Sequence, residues 1–330
     1  MNETWRPSAN IETLRRRADF IASIRRFFAQ RQVLEVETPA LSHHTVTDLH
    51  LQTLYCTHTD PNSTQTAQLY LQSSPEYAMK RLLCAGSGSI FQICKSFRDD
   101  EVGRLHNPEF TMLEWYRVDF DMPMLIAEVC DLLHSLLALS DIRTVSYQAL
   151  FERYLGIDPL TISLNDLIHC CNQKGYVDVT NTINVAQASS VDHDMLLQLL
   201  FNQEIEAVFC QDFPCIVTHF PASQAALAKL DDDDPRTAKR FELYYKGIEL
   251  ANGYEELQDP SIQQARMEQD NALRVAYGKP QQEIDHNLLD ALRAGLPPCA
   301  GVALGLDRLF MLASGATHIK DVLSFHHANA

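Results

Sequence analysis

The sequence predicts an α+β fold, a mixed and mainly antiparallel sheet flanked by helices. Three observations lead there. Residues 94–117, CKSFRDDEVGRLHNPEFTMLEWYR, change to a period of two at Phe110: Phe110, Met112 and Glu114 face one way, Thr111, Leu113 and Trp115 the other. Gly103 and Asn107-Pro108 punctuate the stretch before it, so strand, loop and strand form a hairpin with Arg98 and Glu114 on one floor. Residues 240–253 read as a second hairpin that turns at Lys246-Gly247. Apolar residues recur at helical spacing over residues 11–32 and 122–139. The chain has neither a G-x-x-x-x-G-K-S/T loop nor a G-x-G-x-x-G turn after a strand, which disfavours the parallel nucleotide-binding sheets built on those turns.

Composition narrows the function classes. The chain has 330 residues, 46% hydrophobic and 21% charged, enough for one large domain or two smaller ones. No apolar run approaches the roughly 20 residues that cross a bilayer, and the start, MNETWRPSAN, lacks a basic-then-apolar signal pattern. Nine scattered cysteines without a CxxC pair argue for reduced thiols in a cytoplasm, and against a zinc site or a disulfide framework. A net charge of −16 repels a polyanion at long range, so nucleic acid is disfavoured as the main partner.

Taken in order, residues 11–32 form an amphipathic helix on which Arg15, Arg16, Arg17, Arg25, Arg26 and Arg31 make a solvated face. Residues 33–39 alternate like a strand and stop at Pro39. Residues 42–68 are polar, and the spacing of His43, His44, His50 and His58 matches no metal motif. A strand runs through 69–72 into the turn Ser74-Pro75-Glu76, and a helix covers 77–85. A carboxylate at that helix mouth favours the dipole. Helices are expected over 122–139, 146–155, 165–174 and 192–209, and the run Asp231–Asp234 reads as a solvated turn. After the second hairpin, residues 254–257 lead into a helix that lasts through Arg274. Glu249 and Glu256 bracket what reads as an Asn252-Gly253 turn; paired carboxylates suit a hard cation that shares phosphate oxygens. Residues 299–305 are a small-residue strand, and a helix starts near Asp307. Gly305 leaves room for backbone to approach a nucleotide.

The run HNPEFTMLEWY, with Arg98 ahead of it, closely resembles motif 2 of the class II aminoacyl-tRNA synthetases in its lysine-specific form. The resemblance implies that Arg98 grips the α-phosphate of ATP and the amino-acid carboxylate, and that Phe110 stacks under the adenine. A guanidinium offers a bidentate fork to phosphate and stays charged at any working pH. Residues 11–39 are similar to motif 1, the family's dimer interface. Residues 299–313 resemble motif 3, whose arginine, here Arg308, would close the adenine sandwich by cation–π attraction. The resemblance implies one class II catalytic domain over residues 1–330: motif 1 at about 11–39, motif 2 at about 91–117, a helical insertion at about 140–234 and motif 3 at about 299–313. It also implies ATP with Mg²⁺. Asp99, Asp100, His106, Asn107, Leu250 and Gly305 would contact the ATP, and Glu249 and Glu256 its magnesium. Glu76 and Glu256 would orient the near amino group of the substrate, and Glu114 and Tyr116 would hold the distal ammonium. Ser74, Pro75, Ala251, Asn252 and Ala303 would line that pocket.

Two departures narrow the family. Motif 1 begins almost at Met1, so no anticodon-reading domain is expected. Where the synthetases usually read APE, EIGNG and GLGIG, this chain has SPE, ELANG and GVALG; an added methyl in a tight pocket is worth about 1–3 kcal/mol, enough to shift preference between isomers. Both departures resemble the truncated lysyl-tRNA synthetase paralogues that modify elongation factor P. The implied activity is activation of (R)-β-lysine by ATP and transfer of the β-lysyl group to one lysine ε-amine of elongation factor P. A cytoplasmic homodimer is implied, with neither tRNA nor membrane as partner. Asp99-Asp100 stands where the family often has Asn-Glu, which shortens the reach of Asp100 by one methylene. Three other readings stay open: a stand-alone amino-acid–AMP ligase, a truncated tRNA-charging enzyme, and a non-catalytic paralogue that senses amino acid or nucleotide. Sensors usually lose a motif arginine, whereas Arg98 and Arg308 both stand here.

Overall fold

Asn10 opens the first helix. Its side chain accepts a hydrogen bond from the Thr13 backbone N–H, meeting one of the free donors of the first turn. In this computed structural model the described residues are 5–330 except 60–65, 100–101, 184, 186–188 and 207. The elements run α1 (Ile11–Gln30), β1 (Leu34–Glu35), β2 (Leu41–Ser42), β3 (Tyr55–Thr59), β4 (Thr66–Leu71), α2 (Glu76–Cys84), β5 (Ile90–Phe97), β6 (Glu109–Val118) and α3 (Met122–Leu137). Next come β7 (Arg143–Ser146), α4 (Tyr147–Leu155), α5 (Leu164–Gln173), α6 (Val177–Thr180), α7 (Ser190–Leu200) with a π-helical end at Phe201–Glu206, β8 (Cys215–Pro221), β9 (Thr237–Tyr245) and β10 (Ile248–Glu255). The chain finishes with α8 (Pro260–Ala276), α9 (His286–Gly295), β11 (Cys299–Gly305) and α10 (Leu306–Ser314). These elements fall into two compact units, one of residues 1–138 and 256–330, the other of residues 139–255.

In the first unit, strands run in the order β1-β5-β6-β11. β1 joins β5 in parallel, while β5–β6 and β6–β11 are antiparallel. A small sheet, β2-β4-β3, is antiparallel throughout. Register divides the main sheet into two faces. One face carries Phe91, Leu113 and Trp115 and meets α1. Phe28 stacks on Phe91 at 4.5 Å and lies edge-on to Trp115 at 5.4 Å. The Trp115 indole N–H donates to Glu128 of α3 at 3.1 Å, so the buried ring nitrogen is satisfied. The opposite face carries Phe110, Met112, Glu114 and Tyr116, flanked across the pairings by Ser96, Cys94 and Gln92 on one side and Gly305, Ala303 and Gly301 on the other. The expected hairpin is therefore present, and one face of it is core while the other carries the candidate site residues.

In the second unit the order is β10-β9-β8-β7, with β7–β8 parallel. Its core is aromatic: Tyr147 stacks on Phe201 at 5.3 Å, and Tyr244 packs 5.6 Å from Phe201. The β9–β10 turn falls at Lys246-Gly247, as expected, with positive φ at both residues (53° and 65°). That geometry matches the twist of the two strands. It also overturns one expectation. Asn252-Gly253 is not a turn; with the reversal already made at Lys246-Gly247, both residues pair in β10 with Glu242 and Phe241.

Other differences follow from tertiary partners. The stretch expected to be helical over 140–234 also contains β7 and β8. The helix expected straight after Leu257 waits until Asp259 caps it and Pro260 supplies the first turn. Arg17 is not on a solvated face: it pairs with the buried Asp307 and donates to Thr111 at 3.0 Å. The Asp231–Asp234 run is a loop, but Asp232 pairs locally with Lys229 and Lys239, and Asp234 with Arg236. All nine cysteines are free thiols. Among the described residues no helix is long and apolar enough to cross a membrane.

Candidate active site

The site-bearing face of the first sheet begins where β5 ends. The Arg98 N–H donates to Pro108 O at 2.9 Å, which extends the β5–β6 register by one pair and keeps Arg98 on the face of Phe110. The guanidinium lies 5.2 Å from the centre of the Phe110 ring, within cation–π range. The loop between the strands is closed by reciprocal backbone bonds of Gly103 and His106 at 3.2 and 3.3 Å. Asn107 is buried and works on the chain itself: its amide donates to Glu109 O at 2.6 Å and its carbonyl accepts from the His327 N–H at 3.1 Å. Arg308, in the first turn of α10, bonds His106 Nε2 and reaches Leu105 O at 3.4 Å. Gly305 is the N-cap of α10. Asp307 accepts from the Thr111 N–H at 2.7 Å and pairs with Arg17, so one carboxylate ties α1, β6 and α10 together. Asp99 is exposed and Asp100 lies outside the described residues.

Deeper on the same face is a cluster of acids. Glu114 is 1% exposed. Ser74 Oγ donates to its Oε2 at 2.8 Å and the Tyr116 hydroxyl to its Oε1 at 2.7 Å. Ser74 also accepts from the Glu76 N–H at 3.1 Å, at the start of α2 just after Pro75. One helical turn on, Lys80 Nζ sits 2.7 Å from Glu76 Oε1 and 2.6 Å from Glu256 Oε2. Ala303 pairs with Glu114 across β6–β11. Gly301 pairs with Tyr116, and a Cβ there would lie 2.3 Å from the Tyr116 ring and 2.7 Å from Glu256 Oε1. The absent side chain is what lets that ring and that carboxylate meet. Glu256 Oε1 is buried and accepts no hydrogen bond.

Electrostatics follow from burial. Burial pushes the Glu114 carboxyl above the ordinary range, and the charges of Glu76 and Glu256 add to it against the Tyr116 and Ser74 donors. Burial raises Glu256 too, with the Lys80 charge pulling back and Glu76 pushing up. For Lys80 burial works against the charge, but the Glu256 and Glu76 carboxylates outweigh it and hold the ammonium firmly protonated. The Tyr116 hydroxyl is held far above its usual value by burial and the Glu114 charge. Three carboxylates face one ammonium, so the cluster can take up further positive charge.

Glu249, Leu250, Ala251 and Asn252 lie on β10, in the second unit. The β9–β10 pairing shifts register between Glu249 and Ala251, so Leu250 is a bulge. The bulge turns Glu249 onto the face of Asn252, where an unbroken strand would put them on opposite faces. Arg240 Nε donates to Asn252 Oδ1 at 3.2 Å and Asn252 Nδ2 donates to the Tyr254 hydroxyl at 2.9 Å. Glu249 and Glu256 belong to different units. Among the described residues no group of three or more His, Cys, Asp or Glu side chains is arranged to hold a metal ion.

Sequence reasoning passed over Lys80, Gly301 and Arg17. Lys80 had a signal: it stands four residues after Glu76, the spacing at which a helical Glu reaches a Lys. Gly301 and Arg17 had none, because both depend on partners far away in sequence.

Comparisons with known proteins agree with this geometry. A family model described as class II tRNA synthetases (D, K and N) matches residues 3–329. The elongation factor P–(R)-β-lysine ligase of Histophilus somni (strain 2336) is 53% identical over 326 residues, 99% of this chain and 98% of that protein. The ligase of the same name from Salmonella dublin is 53% identical over 322 residues, 98% of this chain and 97% of that protein. With its sheet, its motif arginines and a match over nearly its whole length, the chain belongs to the class II tRNA synthetase family of the D, K and N group.

Proposed function

We propose that this chain is an ATP-dependent ligase that activates (R)-β-lysine as its adenylate and passes the β-lysyl group to the ε-amine of one lysine of elongation factor P. The names of relatives 53% identical over almost the whole chain support the reaction. The observation that carries the substrate class is the buried acid cluster of Glu76, Glu114 and Glu256 with a carboxylate oxygen that accepts no hydrogen bond. Such a cluster selects a ligand rich in ammonium groups.

ATP and the amino acid are the substrates of the first step. The amino-acid carboxylate is already a nucleophile, so no general base is needed. It attacks the α-phosphorus and pyrophosphate leaves. Arg98, held against Phe110, meets the charge that builds on the phosphoryl oxygens, and Phe110 and Arg308 enclose the base. Glu76 and Glu256 orient the near amino group, and Glu114 with Tyr116 receives the distal ammonium, so catalysis is mostly positioning. Of the two carboxylates expected beside magnesium, Glu256 is already bonded by the Lys80 ammonium and fits an amine pocket better than a metal. Glu249, half-buried with hard oxygen donors, fits magnesium. Magnesium bound with ATP would neutralise its phosphate oxygens. In the second step the neutral acceptor amine attacks the adenylate carbonyl, AMP leaves, and the nitrogen gives up a proton to solvent as the amide forms. We place the enzyme in the cytoplasm as a homodimer; the exposed Ile11 and Leu34 in the motif-1 region support the latter.

The test is pyrophosphate exchange into ATP with (R)-β-lysine, with L-α-lysine and without amino acid. Exchange that depends on β-lysine is expected. Folded protein that binds ATP yet exchanges with no amino acid would turn the reading toward a sensor.

A further inference from the structure

Lys80 is 2% exposed. A buried ammonium is expensive unless paired, and this one is paired twice, at 2.7 Å to Glu76 on its own helix and at 2.6 Å to Glu256. The Glu256 N–H in turn donates to Cys299 O of β11 at 3.0 Å. One side chain thus fixes two carboxylates that come from separate parts of the chain. It takes Glu256 Oε2, leaving Oε1 beside Tyr116 and under Gly301 with no donor.

Resting on the function proposed above, we propose that Lys80 is a positioning residue that holds Glu76 and Glu256 together and aimed at the substrate, and so sets the pocket's demand for a diamino acid. Three carboxyl groups stand against one ammonium here, and the two ammonium groups of a diamino acid complete the balance. Without Lys80, three carboxylates would share one dry pocket. Like charges that close cannot all ionise, so the acids would take up protons. A protonated carboxyl has lost its charge and turned one oxygen into a donor, so it holds an ammonium far more weakly. Each proton that must leave from a group one unit above the working pH weakens binding about tenfold. The titratable groups around Lys80 are Glu76, Tyr77 and Cys84 on its own helix, and Glu256 and Cys299; Glu114 and Tyr116 on β6 act on the two carboxylates it holds.

The experiment is calorimetric binding of (R)-β-lysine to the wild-type chain and to Lys80→Met, in two buffers of different ionisation enthalpy so that released protons are counted, together with exchange kinetics. The melting transition of each protein checks folding. We expect Lys80→Met to bind β-lysine at least tenfold more weakly, to release about one more proton per amino acid bound, and to keep the KM for ATP within twofold. If Lys80→Met does not fold, Lys80→Gln, which keeps an N–H donor between the carboxylates without the charge, is read in the same way. A folded variant with unchanged affinity and unchanged proton count overturns the role of Lys80 alone, leaving the ligase reading standing. A variant with only a lowered melting temperature assigns Lys80 to the scaffold and overturns it too. A wild-type chain that binds ATP and no diamino acid overturns both.

Discussion

Gly301→Ala tests the pocket with one methyl group. The new Cβ would stand 2.3 Å from Tyr116 Cδ1 and Cε1 and 2.7 Å from Glu256 Oε1, whereas carbon atoms rest at about 3.5–4.0 Å. The ring must retreat by more than about 1 Å, because the other obstacle is a buried carboxylate held by Lys80. The Tyr116 hydroxyl sits 2.7 Å from Glu114 Oε1, and a shift of that size carries it past the roughly 3.5 Å limit of a hydrogen bond. A bond to a charged acceptor contributes about 1.5–3 kcal/mol, and overpacking costs a further 1–3 kcal/mol or so. The first of these alone corresponds to a rise of about 10- to 150-fold in the KM for the amino acid. Initial rates of pyrophosphate exchange at varied amino acid and varied ATP separate the two constants. The KM for ATP is expected to hold, since Arg98, Phe110 and Arg308 are untouched. Gly103→Ala is the control, because a Cβ there meets nothing within 4 Å. An amino-acid KM for Gly301→Ala within twofold of wild type would refute the packing argument.

Arg98→Lys keeps a charge but loses the fork and the contact with Phe110; the adenylation rate in single turnovers should drop by about 10²–10³, or about 2.7–4 kcal/mol, with no change in melting temperature. Asp307→Asn strips the counter-charge from Arg17 beneath the site; breaking a buried pair costs about 3–5 kcal/mol, and urea denaturation that shows under 1 kcal/mol or so would place this pair among ordinary surface contacts. Glu114 and Glu256 are both raised, chiefly by burial. The folded chain then keeps protons that the unfolded chain has released, so stability without substrate should fall as pH rises from the ordinary carboxylate range through the raised values. The affinity for a diammonium substrate should move the opposite way, because ionised carboxylates hold an ammonium more strongly than neutral ones. Thermal melts with and without β-lysine across that range check both signs, and a stabilisation by β-lysine that shrinks with rising pH would contradict the assignment.

Much of the site was legible because it sits on a strand of period two. Charge on the face of Phe110 and Met112 could not be core, and the register confirms that Arg98, Phe110 and Glu114 share that face. The long motif-2 run made the family readable. What escaped depended on the third dimension. Asn252-Gly253 has the composition of a turn, yet Lys246-Gly247 had already made the reversal and left it inside β10. The bulge at Leu250 breaks strict alternation, so no count along the sequence could place Glu249 on the face of Asn252. β8 is a short apolar run, ambiguous between strand and helix until its neighbours are known. Arg17 looked solvated because no acid stands three or four residues from it on the helix; its partner Asp307 lies 290 positions away.

The most direct measurement is the intact mass of elongation factor P after incubation with this chain, ATP, magnesium and (R)-β-lysine, with L-α-lysine and ATP-free reactions beside it. One added β-lysyl group on a single lysine is expected, dependent on ATP, with much less from L-α-lysine and none after Arg98→Lys in the same time. An unmodified factor in a reaction where pyrophosphate exchange is vigorous would contradict the assigned acceptor, and leave an adenylating site whose product goes elsewhere.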